Sequence, residues 1–166
     1  MQPTLIIREA VAEDISIIRS IAEATWPSAY SHIISKEQLD FMLDWMYSDA
    51  SLQEQMNTGD QFFLAEFDQQ IIGFASVKKG KEGISKLNKL YVLPNIQKTG
   101  AGKALLNKAI SYAKENASTR LQLQVNRNNT AKGFYEKNGF TVIKEADFPI
   151  GNGYFMNDYI MELIID

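Results

Sequence analysis

In the middle of the chain, Gln97-Lys98-Thr99-Gly100-Ala101-Gly102-Lys103 follows a strand-like stretch ending Tyr91-Val92-Leu93-Pro94 and opens a helical pattern. Glycine accepts positive φ and lets a ligand approach the main chain, and the first N–H groups of a helix lack intrahelical partners. The helix end supplies partial positive charge, Lys98 and Lys103 add formal charge, and Thr99 adds a hydroxyl. The chemistry open to such a loop is the binding of phosphate. Two common phosphate motifs fail on spacing. A dinucleotide turn requires G-x-G-x-x-G/A, but Leu105 occupies the last place; a Walker A loop requires glycine where Gln97 stands and Ser or Thr where Ala104 stands. What remains is Q-x-x-G-x-G.

Farther along, Asn129-Thr130-Ala131-Lys132-Gly133-Phe134-Tyr135-Glu136-Lys137-Asn138-Gly139-Phe140 reads N-x-A-x-x-F-Y-E-K-x-G-F. With Gln97, Gly100 and Gly102, and with an opening Ile7-Arg8-Glu9-Ala10 followed by Asp14, this segment makes the chain resemble the GNAT superfamily of acetyltransferases over almost its whole length. The stretch from Trp26 to Met46 is similar to that of the superfamily's polyamine acetyltransferases. The resemblance implies acetyl-coenzyme A as co-substrate and an acyl-coenzyme A-dependent N-acetyltransferase working by direct attack. The acceptor would be a primary amine of a small molecule, polyamines included, or of a peptide. Leu90, Tyr91 and Val92 would then hold the pantetheine arm between two splayed strands, and Asn129 would bond to it from the other side. The pyrophosphate would be wrapped by Gln97, Lys98, Thr99, Gly100, Ala101, Gly102 and Lys103, although Lys103 also reads as an ordinary helix-surface lysine.

An alkyl amine has a pKa of about 10.4 and is protonated at neutral pH, so a proton must leave before it can attack. The departing thiolate needs a proton or a hydrogen bond, and a phenol can give either. The resemblance assigns that phenol to Tyr135; packing beside Phe134 is the alternative role. The base is open. Many members of the family carry Glu on the strand that here reads Lys86-Leu87-Asn88-Lys89-Leu90, which has no carboxylate. A water chain ending at Asn88 or at backbone carbonyls would serve, as would Glu23, equally readable as an exposed helix acid. The missing carboxylate keeps a non-catalytic acyl-coenzyme A-binding module in competition. For the acceptor pocket the candidates are Trp26, Tyr30, Asn88 and Asp158, with His32, Tyr154 and Asn157 nearby. Asp158 suits a cationic amine, but also reads as a hairpin-turn residue.

The elements that must position these residues are legible as periodicities. Leu5 to Arg8 forms a strand. Ile15, Ile18, Ile21 and Ala22 mark a helix, Thr25 to Ile34 is irregular, and Ser35 with Gln38 caps a second helix lined by Leu39, Met42, Leu43 and Met46. Ser51 and Glu54 open a short third. Strands at Phe62 to Phe67 and Ile71 to Val77 form a hairpin through Asp68-Gln69-Gln70. The strand from Ser85 to Leu93 places Leu87, Lys89, Tyr91 and Leu93 on one face, and Asn88, Leu90 and Val92 on the other. Helices at Lys103 to Glu115 and Asn129 to Lys137 flank a strand at Leu121 to Val125. Strands at Phe140 to Ile143 and Tyr154 to Ile164 close the chain around a loop with Pro149, Gly151 and Gly153. The order gives an α+β fold. In the resembled family it is a twisted mixed, mostly antiparallel sheet of about six to seven strands, with helices on both faces.

The 166 residues suit a single acetyltransferase domain spanning 1–166. A formal charge of -3 favours neither nucleic acid nor an anionic membrane as partner, while the absence of cysteine removes disulfides, cysteine nucleophiles and thiolate metal sites. No metal is expected. Met1-Gln2-Pro3-Thr4 leads into the first strand without a basic and apolar leader, so a cytoplasmic protein is expected; assembly as a homodimer is an open option.

Overall fold

The computed structural model describes residues 4–165, except the side chains of Gln97 and Lys98. Strand β1 (Leu5–Glu9) leads through a single turn into helix α1 (Ile15–Tyr30). Asp14 organises the turn: its carboxylate accepts from the Val11 N–H at 2.9 Å and pairs with the Arg8 guanidinium at 3.0 Å, which holds it below the usual carboxylate range. The expected irregular stretch from Thr25 is helical as far as Tyr30, with Pro27 inside. Thr25 and Trp26 extend the buried stripe of Ile18, Ile21 and Ala22, and that burial outweighs the hydrogen bond proline forfeits. Helix α2 (Lys36–Tyr47) is capped by the Ser35 hydroxyl accepting from the Gln38 N–H. Helix α3 (Asp49–Asn57) is capped by Ser48 rather than Ser51, because Ser48 is the residue with extended backbone before the first turn.

Strands β2 (Gln61–Phe67) and β3 (Gln70–Lys79) join through Asp68 and Gln69, both at positive φ, in the tight turn that matches strand twist. Strand β4 (Ile84–Val92), helix α4 (Ala101–Glu115), strand β5 (Arg120–Asn126) and helix α5 (Ala131–Lys137) follow, then β6 (Thr141–Gly151) and β7 (Tyr154–Ile164). The expected loop after Ile143 is mostly strand. β6 continues to Gly151, since it is the sheet's edge and Pro149 lies at a register shift, where a missing N–H costs no ladder bond.

Among the described residues seven strands order as β1-β2-β3-β4-β5-β7-β6, with β4 and β5 the one parallel pair. One core lies under α4 and α5, where Leu105, Leu106 and Ala109 meet Val77, Leu87, Leu121 and Leu123. The other lies under α1, α2 and α3, where Ile18, Trp26, Met42 and Leu52 meet Phe62, Leu64 and Phe74. Helices thus cover both faces, as the element order implied. Among the described residues no helix is long and apolar enough to cross a membrane.

Two details of β4 decide where the site lies. Its ladder with β5 ends at Leu87 opposite Leu123, yet β4 stays paired with β3 as far as Val92 and β5 with β7 as far as Asn126, so the sheet opens into a wedge. The register with β3 also slips: Ser76 pairs with Lys89 and Val77 with Leu87, leaving Asn88 as a bulge residue. The regular alternation read from the sequence therefore fails. Leu87 packs in the α4 core with Leu90 and Val92, whereas Lys89 and Tyr91 face the α1 and α2 side.

Candidate active site

Two cavities border the wedge and share Tyr91. The larger, about 710 Å³, is lined by Leu90, Val92, Gly102, Asn129, Phe134 and Tyr135, together with Thr25 and Ser28 of α1 and His32 just beyond its end. The smaller, about 380 Å³, is lined by Trp26, Tyr30, Asp60, Asn88, Lys89 and Asp158 among others. Between β4 and β5 lies a narrow cleft of about 50 Å³ that touches Tyr30, Leu90, Tyr91, Asn129 and Tyr135 and so links the two.

At the larger cavity, Gly100 has φ 81°, left-handed backbone that leads the chain into α4. The Thr99 hydroxyl accepts from the Ala101 N–H at 3.2 Å and so occupies one of the helix's open donors. Gly102 is helical, and a Cβ there would come no nearer than 3.7 Å to Phe134. Packing does not require glycine at that position, and its bare Cα borders the cavity. Lys103 is exposed, its ammonium bonded to the Asn138 carboxamide. The side chains of Gln97 and Lys98, both expected at the pyrophosphate, lie outside the described residues. Asn129, expected to bond to the pantetheine arm, uses its carboxamide oxygen to accept from the Ala131 N–H at 2.9 Å at the start of α5, and its NH2 donates to the Tyr30 hydroxyl at 3.4 Å.

At the junction the Tyr30 and Tyr91 hydroxyls are 3.2 Å apart, and the Trp26 ring packs 4.6 Å from that of Tyr30. Tyr135 is buried, edge-on to both Phe134 and Phe140. Burial, and then the nearby Tyr30, push its phenol well above its ordinary value. The phenol therefore keeps its proton throughout the physiological range, which suits a proton donor and excludes a resting base.

Trp26, Tyr30, Asn88 and Asp158, the sequence candidates for an acceptor pocket, all line the smaller cavity. Asn88 donates to Asp60 at 2.6 Å. Asp158 is not a turn residue: it lies within β7 opposite Asn126, is 2% exposed, and makes no side-chain hydrogen bond or ion pair among the described residues. Burial pushes its carboxyl up to about 6, against the pull of Arg127 and Lys86. Glu23, the other carboxylate considered, is exposed and paired with Arg19, away from both cavities. His32 lines the larger cavity rather than the acceptor side, and Tyr154 packs against Phe41. Sequence reasoning missed Lys86, Lys89, Asp60 and Gln124, which also line the smaller cavity. A buried lysine on a strand gives no sequence signal of its own, and the bulge that turns Lys89 inward is set by cross-strand register. Trp45 and Phe155, each about half exposed, lie on the same cavity, and the Gln38 amide donates to the Phe155 carbonyl at 2.9 Å, tying α2 to β7.

Comparison with known proteins is consistent with this geometry. A family model described as an acetyltransferase (GNAT) domain matches residues 32–162. An uncharacterized N-acetyltransferase of Mycobacterium tuberculosis is 31% identical over 150 residues, 89% of this chain and 96% of that protein. A spermidine N(1)-acetyltransferase of Thermoplasma acidophilum is 30% identical over 142 residues, 82% of this chain and 88% of its own. The crystal structure of a PaiA N-acetyltransferase from Thermoplasma acidophilum in complex with coenzyme A superimposes with a TM-score of 0.82 at 29% identity, covering 97% of this chain and 99% of that one.

Proposed function

The chain belongs to the GNAT acetyltransferase family and is an acyl-coenzyme A-dependent N-acetyltransferase; on that premise we propose that it transfers the acetyl group of acetyl-coenzyme A, held in the larger cavity, to the primary amine of a small molecule held in the smaller one. The observation that carries this is the end of the β4–β5 ladder at Leu87 and Leu123, beyond which the two cavities meet. Backbone groups of β4 from Leu90 to Val92 border that gap, and an extended pantetheine arm would add to them as a strand adds to a sheet edge. Gly100 and Gly102 admit the pyrophosphate to the start of α4. A volume of about 380 Å³ matches small-molecule sites.

In this mechanism Asp158 takes a proton from the entering ammonium, and the neutral amine attacks the thioester carbonyl as the new C–N bond forms. Tyr135 gives its proton to sulfur while the C–S bond breaks, and the proton shed by the acylated nitrogen restores the phenol. Holding both substrates across one gap lets the attack proceed without an acyl-enzyme. The test is release of free thiol from acetyl-coenzyme A by the purified protein across a panel of amines. Amine-dependent release is expected; coenzyme A binding with no release for any amine contradicts the proposal.

A further inference from the structure

The acceptor cavity contains a charge that acetyl transfer does not use. Lys89 is 8% exposed, and among the described residues it has neither a hydrogen bond nor an ion pair; its ammonium lies 5.2 Å from the centre of the Tyr47 ring. The carboxylate whose charge acts on it, Asp60, already accepts a hydrogen bond from Asn88. Lys86 lines the same cavity, and its charge pulls the Asp158 carboxyl down against the effect of burial. In a regular strand two side chains three residues apart point to opposite faces. The bulge at Asn88 instead turns Lys86 and Lys89 to the same face, so the register shift gathers two ammonium groups on β4 at the cavity that Asp158, on β7, also lines.

A buried ammonium without a partner is costly, and it is tolerated where a bound anion compensates it. We propose that the acceptor amine also carries an anionic group, a carboxylate or a phosphate, which Lys89 and Lys86 receive while Asp158 faces the amine. This rests on the acetyl-transfer reading of the same site and narrows it. Burial lowers Lys89 to about 8, and an anion beside it opposes that shift and fixes the charged form. A polyamine places a second cation where the lysines stand, so like charges select against it.

The test uses the intact protein, saturating acetyl-coenzyme A and thiol release. Acceptors are ω-amino acids from glycine to aminohexanoate, each beside its amide, then O-phosphoethanolamine beside ethanolamine, and spermidine. The best anionic acceptor is expected to exceed its neutral counterpart in kcat/KM by at least about tenfold, with spermidine below it. Lys89→Met is expected to bring that ratio to within about threefold of unity, chiefly through KM, and Lys86→Met to lower it by about threefold. A thermal shift induced by coenzyme A checks that each variant is folded; Lys86 is exposed and tolerates replacement. Whether the carboxylate or the phosphate series wins identifies the anion. Equal or better turnover of the neutral amines or spermidine overturns this proposal and leaves the transfer reading intact, as does a Lys89→Met variant that keeps the preference. Absence of thiol release with every amine removes the transfer reading and this one with it.

Discussion

The hydroxyl of Tyr30, at the end of α1, lies 3.2 Å from the hydroxyl of Tyr91 on β4. The contact joins the helical layer to the free end of the strand, and the Asn129 amide reaches the same Tyr30 oxygen from the start of α5. Tyr30 thereby ties together the two sides of the wedge. Tyr30→Phe leaves the Tyr91 hydroxyl and the Asn129 amide without that partner, and is expected to cost about 1 kcal/mol of stability. kcat/KM should fall by about threefold to tenfold, with little change in coenzyme A affinity. Chemical denaturation and steady-state kinetics check both.

Tyr135 keeps its proton and borders both the cleft and the larger cavity. Tyr135→Phe keeps the ring packed on Phe134 and Phe140 and removes the donor alone. Thermal stability should change little and coenzyme A affinity less than about threefold, while kcat falls by about a hundredfold. A loss confined to KM would assign Tyr135 to binding instead.

Asp158 must be ionised to accept a proton or to face a cation, and burial places its carboxyl at about 6. kcat/KM should therefore be full above about pH 7 and decline as pH falls through 6, because the raised group protonates there. Asp158→Asn should remove that limb from the profile and lower kcat/KM by about a hundredfold or more at neutral pH. An unchanged acidic limb in the variant would place the titrating group elsewhere.

Lys89 has a folded value of about 8 against 10.5 when unfolded, so its burial costs stability in full below pH 8 and no longer once both states are neutral above about pH 10.5. Lys89→Met should raise the Tm of the ligand-free protein at pH 7 by roughly 5 °C, reflecting about 2 kcal/mol, and the gap should close as pH rises from 8 toward 10.5. A gap that does not depend on pH would mean that packing, not charge, sets the difference.

At Gly102 a Cβ would make only ordinary contact with Phe134, a longer side chain there enters the larger cavity that Gly102 lines, and leucine favours helix over glycine. Gly102→Leu should keep the Tm of the ligand-free protein within about 2 °C of wild type, or raise it, while abolishing the thermal shift with coenzyme A. A retained coenzyme A shift would mean that the bare Cα does not border the bound pyrophosphate.

Local pattern carried much of the fold into the sequence. Helical and strand periodicities, the Ser35 cap, the Asp68-Gln69 turn and the run from Gln97 to Lys103 all act within a few residues of chain, and each could be read there. What could not be read depends on partners far away in sequence. Pro27 signals a break, yet α1 runs through it because Trp26 is buried against β3 and α2 residues. Pro149 signals a loop, yet β6 passes it because, among the described residues, β6 is the edge strand of the sheet. The bulge at Asn88 follows from the pairing of β4 with β3, and it decides that Lys86 and Lys89 share one face. Asp158 reads first as a turn residue and only second as a site residue; the pairing of β7 with β5 places it, buried, at the cavity. The residues proposed for the donor end thus sit in a local motif, whereas the facing of Lys86 and Lys89 and the burial of Asp158 at the proposed acceptor end were hidden in register.

The most direct test of two cavities meeting at one gap is the initial rate of thiol release over a matrix of acetyl-coenzyme A and acceptor amine concentrations. Attack across the gap predicts that release requires the amine and that double-reciprocal lines intersect, as they do when both substrates must be bound together. Parallel lines with an acetylated protein intermediate, or release that ignores the amine, would contradict it.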